Sequence, residues 1–164
     1  MLIRPTGEDL RIVGFNLGRI STMVAIAGMI PLLWSLFGRE WAPAVSFLLM
    51  ISVFLLLGAL ASTIPAPRHR LDWSHGMVVV AVAWLLVPAI SSIPLMLSGH
   101  YGSPLDAVFD AMSGLTTTGL ALIQDLDHLA PSLNFWRHIL HFMGGQGIII
   151  AALSIFTGGG AVTL

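Results

Sequence analysis

The chain contains no cysteine and no lysine, and only 9% of its residues are charged. Without cysteine there is no disulfide framework, no thiolate nucleophile and no cysteine-ligated metal centre. The seven basic residues are all arginine and none forms a block that would track phosphates. With a formal net charge of −1, there is no electrostatic case for nucleic acid. Soluble domains are roughly a quarter charged, so an ordinary polar exterior cannot be built from this composition. With 56% hydrophobic residues, the expectation is an all-α protein embedded in a lipid bilayer. The first ten residues mix Arg4 with Glu8 and Asp9 and lack a small-residue cleavage site, unlike a cleavable signal peptide.

A hydrocarbon core of about 30 Å takes roughly 20 apolar residues as a helix. The first such run lies between Arg19 and Arg39, its apolar character starting near Ile12, with Pro31 inside it. Gly38-Arg39-Glu40 makes a short turn bracketed by Trp34 and Trp41, as interfacial aromatics should be. The second run spans Trp41 to Thr63 and is stopped by Pro65-Ala66-Pro67. After the densest positive cluster, Arg68-His69-Arg70, a third span runs from Trp73 to Leu97, with Pro88 and Pro94 expected to bend it. A fourth covers Leu133 to Phe156. This divides the chain into an N-terminal segment with a two-helix hairpin, 1–67, and a second unit, 68–164. Arg4, Arg11, Arg68 and Arg70 fall on one side, with Arg19 near it, and Arg39 and Arg137 on the other. Positive-inside bias then places both termini in the cytoplasm.

The stretch from Gly99 to Asn134, joining spans three and four outside, is too long for a turn and too apolar at its centre for a plain loop. Ser103 reads as an N-cap, Pro104 as the first helical position, and the Asp106 carboxylate faces the free amides of the first turn. Leu105, Val108, Phe109 and Met112 follow at helical spacing. A helix ending near Gly114 would be about 16 Å long, half a membrane. Held between two spanning helices it is a re-entrant pore helix; the other reading is an amphipathic helix lying on the outer surface. Thr116-Thr117-Thr118-Gly119 comes next. A dehydrated potassium ion needs several weakly negative oxygens, which backbone carbonyls and threonine hydroxyls supply, and a glycine lets the backbone aim them inward. In the fourth span Gly144, Gly145 and Gly147 allow close helix approach or bending, and Gln146 should face protein or water.

Asp106 through Gly119, with its Ser-Gly-Leu-Thr-Thr-Thr-Gly ending, resembles the first pore helix and filter of the Trk/Ktr/HKT superfamily of potassium transporters. Phe135-Trp136-Arg137-His138 and Met143-Gly144-Gly145-Gln146-Gly147-Ile148-Ile149 are similar to the helix that follows in the TrkH branch, whose extra leading helix pair is also matched here. The resemblance implies two leading transmembrane helices and one helix–pore helix–filter–helix unit of four that line a pore. It makes Thr116, Thr117, Thr118 and Gly119 ion-coordinating, with K+ at Thr117 and Thr118 and selectivity resting on Gly119. It further implies a bacterial inner-membrane location, a homodimer of the full-length chain, a cytoplasmic TrkA-type nucleotide-binding regulatory subunit and no cofactor. With one repeat present, the expectation is an N-terminal fragment that does not conduct alone; a homotetrameric cation channel and a non-conducting scaffold are the alternatives.

Other chemistries fit less well. His138 and His141, with His128 upstream, lack the glutamate of a His-Glu-x-x-His zinc site. Ser113-Gly114 lacks the preceding turn and the histidine base of an intramembrane protease. Asp106 and Asp110 are read as a helix cap and a cation attractor at the outer mouth rather than as an acid–base pair. Asp125 and Asp127 either raise local cation concentration or lie in a solvated outer loop. Arg137 either anchors in the headgroup region or pairs with an aspartate.

Overall fold

A computed structural model of the chain describes the backbone of residues 7–65 and 73–158 and the side chains of these up to Ile149, other than Trp73. The Arg68-His69-Arg70 cluster, Arg4, the 67/68 boundary and residues 159–164 lie outside the described residues. Six helices follow in order: α1 (Gly7–Phe37), α2 (Trp41–Ser62), α3 (Trp73–Ser91), α4 (Ile93–Met96), α5 (Pro104–Leu115) and α6 (Pro131–Gly158). No strand occurs among the described residues. Residues 7–37, 41–62 and 74–96 are long and apolar enough to cross a membrane. The chain is an all-α membrane protein. The fourth expected span corresponds to α6, 28 residues long, whose first half carries Arg137, His138 and His141, with Gln146 just past the midpoint.

α1 and α2 are apolar all round, so periodicity does not choose their buried faces. Small residues do, by letting backbones approach. A side chain on Gly18 would run into Ala61, and one on Gly58 into the Thr22 hydroxyl. The antiparallel hairpin closes through a C-terminal cap in which the amide of Arg39 bonds to Leu36 and that of Glu40 to Ser35, with Arg39 in the left-handed region at φ 57°.

The third span is not continuous. Pro94 has no amide to donate, and the chain breaks between α3 and α4. The Ser91 carbonyl at the break accepts the Trp136 indole N–H at 3.0 Å. Trp136 is fully buried and meets Phe47 of α2 edge-on. One indole thus ties α6 to α2 and to the kink. The core continues through Met50, Phe54, Val87, Leu95, Ala107, Ala111, Leu115 and Leu140, with α5 packed against both α3 and α6.

Glu40, in the hairpin turn, reaches the start of α6. Its carboxylate accepts from the Ser132 amide at 3.2 Å and from the Ser132 hydroxyl. Ser132 follows Pro131 in the first turn of α6, where amides lack helical partners and negative charge is favoured. Glu40→Ala is expected to lower stability by about 1 kcal/mol, read as a lower melting temperature in detergent. Glu40→Gln should lose only part of it.

Candidate functional site

Ser103 has an extended backbone (φ −147°, ψ 159°) and its hydroxyl accepts the Asp106 amide at 3.2 Å, with Pro104 in the first turn. α5 then runs 12 residues, about 18 Å. Its buried face is Ala107, Asp110, Ala111, Ser113, Gly114 and Leu115. The apolar stripe read from the sequence faces largely outward: Leu105 is 74% and Phe109 42% exposed. Close packing between α3 and α6 selects the small residues, not the greasy ones.

Asp110 does not stand at an open mouth. It is 2% exposed and accepts from Arg137 Nε at 3.1 Å and from the Tyr101 hydroxyl at 2.8 Å. Arg137 also donates to the Asn134 side chain at 3.2 Å. Its charge is neutralised within the protein, so it cannot act as a free cation attractor, and Arg137 finds its partner on α5. Burial first, then the hydrogen bond to Asp110, raises the Tyr101 hydroxyl above its ordinary range, so it stays a donor. Asp125 and Asp127 are exposed in the loop between α5 and α6, Asp125 paired with His128 at 2.8 Å.

The end of α5 is closed by a second C-terminal cap of the same kind. The Thr117 amide bonds to Gly114, and the Thr118 amide to Ser113 at 2.9 Å. The Gly119 amide bonds the same Ser113 carbonyl at 3.4 Å. This geometry puts Thr117 at φ 57°, where glycine is usual, and Gly119 at φ 79°. A β-branched residue with positive φ is strained by about 1–2 kcal/mol. Thr117→Gly is therefore expected to raise thermal stability by about 1 kcal/mol, whereas Thr117→Ala should not.

The Thr116 hydroxyl donates to Met112 and so receives the Thr118 hydroxyl, 2.9 Å away. Among the described residues no donor reaches the carbonyl oxygens of Thr116, Thr117, Thr118 or Gly119. Thr117, Thr118 and Gly119 are exposed. Four successive free carbonyls and a hydroxyl acceptor thus stand beyond the negative end of a helix dipole.

α6 supports this turn from behind. A Cβ on Gly144 would lie 1.8 Å from the Leu115 carbonyl oxygen, one on Gly145 would sit 3.7 Å from Thr117 Cγ2, and Gly147 has nothing within 4 Å. Gln146 is exposed. The His141 ring, bonded to the Arg137 carbonyl at 2.9 Å, lies beside Gly114 and Gly119. Sequence reading did not assign Tyr101, Glu40 or His141 to these contacts. Only His141 carried a local signal, one turn after Arg137 on the helix face that also presents Gly144.

The described residues define the class: an all-α membrane protein in which a 12-residue helix and the turn after it pack against longer apolar helices. Residues 40–160 match the sequence profile of the TrkH family, described as cation transport proteins. The chain belongs to that family, which is one of transport proteins, not enzymes. It is 33% identical over 161 residues to an uncharacterized cation transporter, MJ1485, of Methanocaldococcus jannaschii, covering 98% of this chain and 34% of the relative. The Trk system potassium uptake protein TrkH of Halomonas elongata is 33% identical over 152 residues, 90% of this chain and 31% of the relative. The Escherichia coli TrkG protein of the same system is 27% identical over 149 residues, with 90% and 31% covered. The chain thus spans about a third of the length of the curated relatives it matches.

Proposed function

We propose that residues 73–158 form one ion-conducting unit of a Trk-type potassium uptake protein, in which Thr116, Thr117, Thr118 and Gly119 replace water around K+. The single observation that carries this reading is the Thr116–Gly119 turn just past the C-terminus of α5, where carbonyls free of protein donors stand beside threonine hydroxyls and both Thr117 and Gly119 take left-handed backbone angles. A filter needs oxygens without a competing donor and a local negative potential, and this turn offers both. K+ would sit at Thr117 and Thr118, with Asp106 at the helix start and the Asp110–Arg137 pair as internal bracing. Further repeats would complete the pore and cover the outward stripe of Leu105 and Phe109. In that setting the protein sits in the bacterial inner membrane with both ends of this segment cytoplasmic, pairs as a homodimer and docks a TrkA-type nucleotide-binding subunit.

Potassium-limited growth of an uptake-deficient strain tests it. Rescue is expected from the natural reading frame containing these residues and not from residues 1–164 alone. Rescue by the short form would point to a homotetrameric channel. Failure of both, with expression confirmed, would favour a non-conducting scaffold.

A further inference from the structure

We infer that His141 is a positioning residue for the proposed filter and sets how strongly it discriminates K+ from Na+. The inference rests on reading residues 116–119 as the filter. Nδ1 of His141 faces the Arg137 carbonyl at 2.9 Å, so it carries the proton and donates. That bond fixes the ring plane. With Nδ1 held there, the ring fits between two glycines of the segment it supports. A Cβ on Gly114, in the last turn of α5, would be 3.5 Å from Nδ1 and 3.6 Å from Cε1. A Cβ on Gly119 would be 3.8 Å from Nε2, the one heavy atom among the described residues within 4 Å of that point outside the adjacent residues. The ring therefore lies across the C-terminal cap of α5, within a methyl group's reach of Gly114 on one side and of Gly119 on the other.

The turn beside it is held at Thr117 and Thr118 by amide bonds of 2.9 Å to Gly114 and Ser113, but more loosely at Gly119. Thr117, Thr118 and Gly119 are exposed, and the Gly119 amide bond to Ser113 is long at 3.4 Å. Discrimination between ions of equal charge is lost when the carbonyl oxygens are free to move to suit either one. A ring beside Gly119 limits the room the turn has to move on the α6 side. Its support is rigid, because Arg137, whose carbonyl orients the ring, is itself paired to Asp110 on α5. The helix that carries the imidazole is thus tied to α5 by the Arg137–Asp110 pair.

The test measures the ratio of K+ to Na+ uptake, with membrane abundance, for the protein expressed in its natural reading frame. His141→Ala is expected to lower the ratio about tenfold while K+ flux at saturation stays within about threefold of wild type. His141→Gln, which keeps an amide donor of similar reach, should restore most of the ratio, and His128→Ala in the outer loop should leave it unchanged. If His141→Ala fails to accumulate, His141→Met keeps bulk without the donor and is expected to lower the ratio about threefold. A ratio unmoved in the accumulating variant, while Gly119→Ser still lowers it, overturns the assignment and leaves the filter standing. A ratio that neither Gly119→Ser nor His141→Ala moves overturns both.

Discussion

Gly144→Ala is expected to abolish most potassium uptake, although it adds a single methyl group. That methyl would sit 1.8 Å from the Leu115 carbonyl oxygen and 2.9 Å from Leu115 Cα. Both are backbone atoms with no rotamer to change, so α5 or α6 must shift by more than about 1 Å to restore van der Waals distance. Leu115 is the last residue of α5 and immediately precedes the threonine turn, so the displacement is delivered directly to the filter. Overpacking of this kind costs about 1–3 kcal/mol in stability. The functional loss should be larger, about a hundredfold, because a misplacement of about 1 Å in a positioned site is costly beyond its effect on folding. The neighbouring glycines give an internal scale. Gly145→Ala meets Thr117 Cγ2 at an ordinary 3.7 Å and Gly147→Ala meets nothing within 4 Å, so flux should fall in the order 147, 145, 144. Equal losses at all three positions would show that helix bending, not the approach to Leu115, is what these glycines provide.

Asp110→Ala is the second large effect expected. Removing the carboxylate leaves the Arg137 guanidinium, 11% exposed, without its ion-pair partner and takes the acceptor from the Tyr101 hydroxyl. Breaking a buried pair from one side costs about 3–5 kcal/mol, chiefly because the remaining charge stays desolvated. The double variant Asp110→Asn/Arg137→Gln removes both charges and should recover a large part of that loss. Tyr101→Phe should cost less, about 1.5–3 kcal/mol, as a hydrogen bond to a charged group. Thermal unfolding in detergent of the wild type, Asp110→Asn, Arg137→Gln and the double variant forms the cycle that isolates the pair. Additive losses for Asp110 and Arg137 would mean the two act independently, against the geometry.

Much of the architecture was legible because bilayer thickness dictates helix length and the turn residues are explicit. The hairpin turn at Gly38-Arg39-Glu40 and the helix start at Ser103-Pro104 are local signals, and the structure has helix boundaries at both. The break after Ser91 was legible as a bend but not as two helices, because its carbonyl finds a partner 45 residues away in Trp136. The buried face of α5 was not legible for a different reason. Hydrophobic periodicity marks the face that avoids water, whereas packing between helices in lipid rewards small side chains, here Ala107, Ala111 and Gly114. Asp110 looked like an outer-mouth charge because it lies in the stretch joining the third and fourth spans; its burial depends on Arg137, 27 residues on, which no periodicity reveals. Glu40 and Ser132 are 92 residues apart. In the candidate site, composition and order pointed to Thr116–Gly119, while the left-handed conformation of Thr117 is a property of the cap geometry that the threonine itself resists.

The central claim is that residues 116–119 lie in the ion path. The most direct measurement is K+ and Na+ flux into liposomes holding the protein in its natural reading frame, wild type against Gly119→Ser. Serine at φ 79° is strained, and its side chain would enter the space beside His141 Nε2. The expected result is a K+ over Na+ preference reduced about tenfold or more in the variant, with protein yield and melting temperature little changed. An identical preference in both proteins, or none in either, would contradict the account and leave the threonine turn a structural cap.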